Sequence, residues 1–142
     1  MQRIVLEKIE QKLHTMKEIT GVFYSGSTAS GKLDEFSDLD IFLVVNKAHA
    51  KKLFKILEKW ISSNWKIKMH NVRDSDATFF IGDFFLKIEF ELLKKQELVP
   101  GYKLKFARIV KDTSNFLKNL KNKSMNCSLT VSQKEIERLF FE

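Results

Sequence analysis

Residues 38–45 read DLDIFLVV, and this stretch decides the fold that the sequence predicts. Its second half, from Ile41 to Val45, is apolar at every position, which is typical of a strand buried on both faces inside a sheet. Asp38 and Asp40 stand at the start of the strand, where the alternation of side chains points both carboxylates to one face. Because aspartate is a poor strand former, strand formation does not explain why two aspartates occupy these positions.

The elements on either side follow from apolar spacing and turn residues. Apolar positions three and four apart predict helices, strict alternation predicts half-buried strands, and the Gly82-Asp83 pair predicts a tight hairpin turn. A helix capped by Asn46 carries an apolar stripe from Ala50 to Ile61. The other helices are expected in residues 2–18 and 114–120, and the strands in 21–24, 38–45, 65–70, 78–81, 84–93 and 104–110. This pattern predicts a mixed α/β (α+β) fold.

The C-terminal segment predicts one more helix, which begins at a capping box formed by Ser132 and Glu135. Its apolar residues 139–141 come directly before the last residue, without a Gly or Pro stop signal. We therefore expect one domain over residues 1–142, cut from a longer parent protein. Pairing of two copies through this apolar edge, as a homodimer, is an alternative.

Composition excludes several classes of protein. With 142 residues, 44% hydrophobic residues and 13 Phe, the chain has enough apolar side chain for one compact domain and is not disordered throughout. No apolar run approaches the roughly 20 residues that span a bilayer, and no signal-peptide core follows Met1, so we expect a cytoplasmic protein without membrane contact. One cysteine, Cys127, and three scattered histidines (His14, His49 and His70) argue against a zinc site, so a metal should have carboxylate ligands.

The net charge of +7 is concentrated in the C-terminal third of the chain. Residues 94–142 carry 11 basic and 5 acidic side chains, whereas residues 1–93 carry 14 and 13. A polyanion, either a nucleoside triphosphate or a nucleic acid, is therefore one expected partner of this third. The alternative is a lysine-rich surface that is simply exposed to solvent.

Asp38 and Asp40 are the first candidate catalytic residues. Two like charges about 4 Å apart repel by roughly 4 kcal/mol at an effective dielectric constant near 20, so a converging pair needs a cation. With oxygen ligands alone, Mg²⁺ or Mn²⁺ fits best, held together with substrate phosphates. The alternative is an Asp-x-Asp pair that only flanks a turn.

Two further segments are candidates for the same site. The small-residue stretch 25–31, interpreted as a loop, offers backbone N–H groups and a hydroxyl to an anion such as the terminal phosphates of a nucleotide. It lacks the Gly-Lys-Ser/Thr of a P-loop. Lys87, Glu89 and Glu91 lie on one face of the second hairpin strand, so either glutamate is a candidate third metal ligand. The alternative is ordinary alternation on a solvent-exposed face.

Together these motifs resemble the DNA polymerase β-like nucleotidyltransferase superfamily. The resemblance rests on VFYSGS at 22–27, EFSDLDI at 35–41 and GDFFLKIEF at 82–90. Within the superfamily, the motifs look most similar to the lincosamide and aminoglycoside nucleotidyltransferases. The resemblance covers roughly residues 20–120, and it implies a mixed, largely antiparallel sheet flanked by helices, the nucleotidyltransferase fold. It also implies a C-terminal helical domain that would begin about where this chain ends.

The resemblance implies a metal site made of three carboxylates. Asp38, Asp40 and Glu89 would hold two divalent ions, Mg²⁺ or Mn²⁺. Glu89 would also act as general base on an acceptor hydroxyl; its match to the Lys-x-Glu-Phe motif favours it over Glu91, which stays an alternative. The hydroxyl would attack the α-phosphorus of ATP or another nucleoside triphosphate, and pyrophosphate would leave.

The resemblance also implies a triphosphate site and a class of reaction. Gly26 and Ser27 would hold the triphosphate, and Lys87 would neutralise phosphate charge unless it only pairs with Glu89. The first hypothesis is transfer of a nucleoside monophosphate, AMP from ATP, to a hydroxyl of a small molecule such as an antibiotic. One alternative is the same transfer to a protein or an RNA, as in minimal nucleotidyltransferase antitoxins. Another is a catalytically silent nucleotide-binding or RNA-binding module.

Overall fold

The computed structural model describes residues 2–33, 37–46 and 50–125. In this part of the chain, six strands form one sheet: β1 (Ile19–Tyr24), β2 (Leu39–Val45), β3 (Ile67–Val72), β4 (Asp76–Ile81), β5 (Leu86–Lys94) and β6 (Arg108–Asp112). Its α-helices are α1 (Gln2–Thr15), α2 (Gly26–Ser30), α3 (Ala50–Asn64), α4 (Tyr102–Lys105) and α5 (Phe116–Ser124), and a 3-10 turn covers Lys95–Glu97.

The strands lie in the order β3-β4-β5-β2-β1-β6. β2 and β5 are parallel, and every other neighbouring pair is antiparallel. The prediction of a mixed, largely antiparallel sheet flanked by helices is therefore confirmed. The apolar strand β2 lies between β5 and β1, as expected for a strand that is apolar on both faces.

One face of the sheet carries the main core. The apolar stripes of α1 and α3 pack on it, because their apolar residues recur at helical spacing. The largest fully buried side chains of this core come from the helices and from the sheet: Ile9, Leu13, Ile19, Tyr24, Leu39, Ile41, Leu43, Phe54, Leu57, Phe79 and Phe90.

The opposite face carries a smaller core over β1 and β2. Phe23 and Phe42 stack on this face with ring centroids 4.8 Å apart. They pack with Val44 beneath side chains from α5 and from the segment around α4: Leu104, Ala107, Leu117 and Leu120. Farther along the same face, toward β4, Glu89 is only half-buried. The covered and open halves of this face determine where the candidate site lies.

The structure corrects several predicted boundaries. The predicted strand at 104–110 is wrong in its first half: Tyr102–Lys105 is helical and the strand begins at Arg108. Leu104 in α4 and Ala107 just after it both face the smaller core, and the Ala107 N–H donates to the Leu104 carbonyl at 3.3 Å, so the chain turns here instead of alternating as a strand would. Similarly, the stretch 25–31, expected to be a loop, contains the short helix α2 (Gly26–Ser30).

Other boundaries shift by only a few residues. The first helix ends at Thr15 instead of residue 18, and the first strand already begins at Ile19. Residues 82–85 connect the hairpin strands, so the turn is longer than the Gly82-Asp83 pair alone. Gly82 and Phe85 both have positive φ there, at 71° and 53°.

Some predictions lie outside the described residues. These are the C-terminal helix from Ser132, its apolar residues 139–141, and the positions of Cys127 and His49. The single-domain assignment for residues 1–142 stays a prediction. In the described part of the chain, no helix combines the length and the apolar character that crossing a membrane requires.

Candidate active site

The two parallel central strands bring an aspartate and a glutamate together. Asp40 lies opposite Glu89 in the register of β2 and β5. Because opposed residues of neighbouring strands project to the same face, the two carboxyl groups are neighbours. Asp38 directly precedes the first residue of β2 and is exposed. The structure therefore places Glu89 beside Asp40, and Asp38 lies two residues before Asp40 in the chain.

The surroundings of Asp40 disfavour its charge. They raise the pKa of Asp40 to about 6, mainly because the carboxyl is partly buried, and further through a hydrogen bond and charge repulsion from Glu89. The charge of Asp38 raises the pKa as well, while the ammonium group of Lys87 lowers it. Asp40 thus holds its proton more tightly than an isolated carboxyl group does, and a cation between Asp40 and Glu89 would relieve the same repulsion.

Lys87 lies next to Glu89 on β5. Its Nζ is 3.1 Å from Glu89 Oε1. This hydrogen bond is the main cause that raises the pKa of Lys87; burial opposes it, and the charges of Glu89, Asp38 and Asp40 add to it. The ion pair with Glu89, one of the two roles expected for Lys87, is therefore present.

The turn into α2 borders the carboxylates. Gly26 has φ +58°, a left-handed conformation that side chains rarely adopt, and a Cβ there would lie 3.8 Å from Asp40 Oδ2. Gly26 is exposed, and the neighbouring Ser27 is half-buried. Gly26, one of the two residues predicted to hold a triphosphate, therefore lies close to the Asp40 carboxyl group.

Thr28 connects this turn to the strand, and sequence reasoning missed it. Its side chain is fully buried, and its Oγ1 accepts a hydrogen bond from the Asp40 N–H at 3.0 Å. The same hydroxyl donates to the Asp38 carbonyl at 3.2 Å. The only sequence signal for this role is a threonine in a stretch of small residues. Its hydrogen-bond partners lie 10 and 12 positions away in the chain, so the local sequence does not indicate them.

A cavity of about 130 Å³ opens beside the carboxylate pair. Its lining includes Asp40 and Glu89 and continues to Asp76, Thr78 and Glu91. Thr78 lies opposite Glu89 in the register of β4 and β5, and Asp76 lies opposite Glu91. The cavity thus extends from the carboxylate pair across β5 to β4.

Glu91 is the alternative third carboxylate, and its surroundings differ from those of Glu89. It lies opposite Phe42 in the register of β2 and β5. Its Oε2 is 3.8 Å from Lys103 Nζ, and that ammonium group also lies 4.0 Å from the centroid of the Phe42 ring. Glu91 therefore shares the face of Glu89 but lies at the border of the smaller core.

The family model of the nucleotidyltransferase domain matches residues 6–123. The match extends from α1 into α5 and includes all six strands of the sheet. The chain belongs to the nucleotidyltransferase domain family. Transfer of a nucleoside monophosphate is the general activity that this membership supports. The comparison with curated proteins gave no match, and the particular similarity to lincosamide and aminoglycoside enzymes stays a prediction.

The nucleotidyltransferase domain has donors suited to a hard divalent cation. Within residues 2–33, 37–46 and 50–125, no three carboxylate, thiol or imidazole side chains converge into a complete metal site. Asp40 and Glu89 nevertheless adjoin each other, and both offer oxygen only. Mg²⁺ keeps several waters and takes one or two carboxylates together with substrate phosphates, so an incomplete protein shell fits this ion.

Two lysines of the basic C-terminal third serve the fold of the nucleotidyltransferase domain. Lys111 Nζ donates to the carbonyls of Leu13 and Met16, at 3.0 and 2.9 Å, near the C-terminal end of α1. Lys121 Nζ donates to the Ala107 carbonyl at 2.6 Å. Because these two ammonium groups bind backbone carbonyls, the C-terminal third offers a polyanion fewer positive charges than the count of basic residues in the sequence suggests.

Proposed function

We propose that this nucleotidyltransferase domain transfers AMP from ATP to a hydroxyl group of a small acceptor and releases pyrophosphate. The observation that carries the proposal is the register pair Asp40 and Glu89, which adjoins the Gly26 turn and opens into a cavity. An antibiotic hydroxyl is the acceptor that the sequence motifs favour.

Asp38, Asp40 and Glu89 are the residues that would hold the divalent ions. Bound there, two Mg²⁺ or Mn²⁺ ions would stabilise charge on the attacking and leaving oxygens. The raised pKa of Asp40, which arises mainly from partial burial and from Glu89, supports this role because a cation would take the place of the proton that Asp40 retains.

Glu89 would receive the proton of the acceptor hydroxyl. Its carboxylate lines the cavity, from which a hydroxyl can approach, and Lys87 holds its Oε1 at 3.1 Å. As the proton passes to Glu89, the hydroxyl oxygen forms a bond to the α-phosphorus, and the bond from that phosphorus to the pyrophosphate oxygen breaks.

The Gly26-Ser27 turn would hold the triphosphate on the other side of Asp40. The absence of a side chain at Gly26 lets a phosphate approach the backbone, and the Ser27 hydroxyl supplies a hydrogen-bond donor. Lys87 would neutralise part of the phosphate charge, and its ion pair with Glu89 would weaken as a result. The nucleotide and the acceptor would thus meet over the start of β2 and β5.

Pyrophosphate release tests the proposal. The protein is incubated with each nucleoside triphosphate and a panel of hydroxyl-bearing small molecules, with Mg²⁺ or with EDTA. We expect release with ATP, an acceptor and Mg²⁺ together, and none with EDTA. Nucleotide affinity that persists in EDTA without any release would instead identify a silent binding module.

RNA and protein acceptors form a second arm of the same experiment. Turnover with RNA whose affinity falls steeply with salt would identify a macromolecular acceptor, because each neutralised phosphate releases counterions. Release with a small acceptor alone supports the proposed function.

A further inference from the structure

Thr28 is buried between the turn that borders Asp40 and the strand that carries it. The side chain has no exposed surface. Its hydroxyl makes two hydrogen bonds to the backbone on either side of Leu39: it accepts one from the Asp40 N–H and donates one to the Asp38 carbonyl. One side chain of α2 is therefore hydrogen-bonded to the backbone of both aspartates.

The two hydrogen bonds join segments that are separate in the sequence. Thr28 lies two residues after Gly26, and its partners are 10 and 12 positions farther along the chain. Removal of the hydroxyl would leave a backbone N–H and a carbonyl without this partner at a partly buried position. The start of β2 and the turn at Gly26 would then be free to shift relative to each other.

We propose that Thr28 is a positioning residue of the transfer reaction, which holds α2 against the start of β2 and fixes the two aspartates relative to the Gly26 turn. This inference rests on the proposed function. Phosphoryl transfer depends on in-line geometry between the reacting atoms, so a small displacement of either segment lowers turnover strongly.

Ser124 provides a matched control within the same chain. Thr28 and Ser124 are the two polar side chains that the described residues bury completely. The Ser124 hydroxyl donates to the Leu120 carbonyl at 2.7 Å and accepts from the Gly101 N–H at 2.9 Å. It therefore makes the same pair of backbone bonds as Thr28, but between α5 and the start of α4.

The experiment compares three hydroxyl substitutions: Thr28→Val, Thr28→Ser and Ser124→Ala. For each variant, kcat and KM for the nucleotide are measured by pyrophosphate release, Mn²⁺ binding by electron paramagnetic resonance, and stability by thermal unfolding. Thr28→Val keeps the shape of the side chain without the hydroxyl, whereas Thr28→Ser keeps the hydroxyl.

We expect Thr28→Val to lower kcat about a hundredfold, with a smaller change in KM, since misplacement of about 1 Å has an effect of this size. Mn²⁺ binding should weaken in the same variant. Thr28→Ser should restore both properties. Ser124→Ala should lower the midpoint of thermal unfolding but leave kcat and Mn²⁺ binding close to the wild-type values.

Three results would overturn the positioning role. The first is a wild-type kcat in folded Thr28→Val, and the second is an equal loss of kcat in Thr28→Val and Thr28→Ser. The third is a loss of kcat in Ser124→Ala that accompanies its loss of stability. If Thr28→Val does not fold, Thr28→Cys takes its place, because a thiol is a weaker hydrogen-bonding group. We expect an intermediate kcat for Thr28→Cys, and wild-type kcat would contradict the inference.

Asp40→Asn separates failure of this inference from failure of the proposed function. An inactive Asp40→Asn beside a fully active Thr28→Val would refute the role of Thr28 alone. A wild-type protein that binds no Mn²⁺ and releases no pyrophosphate would refute the proposed function, and the role of Thr28 with it.

Discussion

The face of the sheet that carries Asp40 has two halves with different surroundings. Phe42 follows Asp40 by two residues on the same strand, and it is buried with Phe23 beneath side chains of α5 and the segment around α4. Asp40 and Glu89 have no such cover and border a cavity, whose lining also includes Phe42. The candidate site thus begins where this cover ends, so substitutions in the covered half should change stability, and those in the open half should change turnover.

The largest effect is expected in the open half, from Asp40→Asn. The substitution removes a charged ligand that would hold a cation against the triphosphate, so kcat should fall by about a thousandfold or more. The measurement is pyrophosphate release by protein whose fold is verified by circular dichroism. Asp83→Asn is the control, since that carboxylate is 91% exposed in the hairpin turn. Turnover within a few-fold of wild type in Asp40→Asn would rule out its metal role.

In the covered half, Phe23→Ala should act on stability. Phe23 has no exposed surface and stacks on Phe42, and loss of such a ring leaves a cavity in the smaller core. We expect the free energy of unfolding to fall by about 3–5 kcal/mol, measured by urea denaturation. Turnover per folded molecule should change little. A thousandfold loss of turnover in folded protein would show that the two halves are not separable.

The pH dependence of stability should single out Asp40. The pKa of Asp40 is about 6 in the folded protein against an ordinary 3.8, because of partial burial and its neighbour Glu89. Folding therefore favours the protonated form, and this contribution to stability is present below pH 3.8 and is lost as the pH rises through 6.

Without divalent ions, Asp40→Asn should consequently exceed wild type in stability by about 1–2 kcal/mol at pH 8, after allowance for solvent screening. The difference should disappear near pH 4. Urea denaturation at both pH values measures it, with Glu91→Gln as the control. A variant less stable than wild type at pH 8 would contradict the origin given for the raised pKa of Asp40.

The smallest effect is expected where α5 approaches β1. Gly21 is buried, and a Cβ at this position would lie 2.7 Å from Leu117 Cδ1 and 3.3 Å from Val44 Cβ. Because the end of the Leu117 side chain can move, Gly21→Ala should lower the free energy of unfolding by only about 1 kcal/mol. Thermal unfolding measures the change, and an unaltered midpoint would show that α5 adjusts freely.

Much of the fold could be predicted because its signals are local. The apolar run of β2 and the alternation of β5 each contain their own evidence, and the structure places both as expected. The segment at 104–110 misled because a short apolar pattern fits a strand as well as a helix. The choice between the two depends on packing, because Leu104 and Ala107 contact the smaller core together with Leu117 and Leu120.

The candidate site was predictable by residue type but not by register. Glu89 and Glu91 differ by two positions, so strand alternation places both on the same face. The pairing of β2 with β5 distinguishes them, because it sets Asp40 opposite Glu89 and Phe42 opposite Glu91. Thr28 escaped prediction for a similar reason, since both of its partners belong to another segment.

The pairing of Asp40 with Glu89 is tested most directly by Mn²⁺ binding in the presence of a non-hydrolysable ATP analogue. Electron paramagnetic resonance would compare wild type with the matched variants Glu89→Gln and Glu91→Gln. We expect Glu89→Gln to weaken Mn²⁺ binding by at least about tenfold, and Glu91→Gln to bind as wild type does. Weakened binding in Glu91→Gln together with wild-type binding in Glu89→Gln would contradict the assignment of the site.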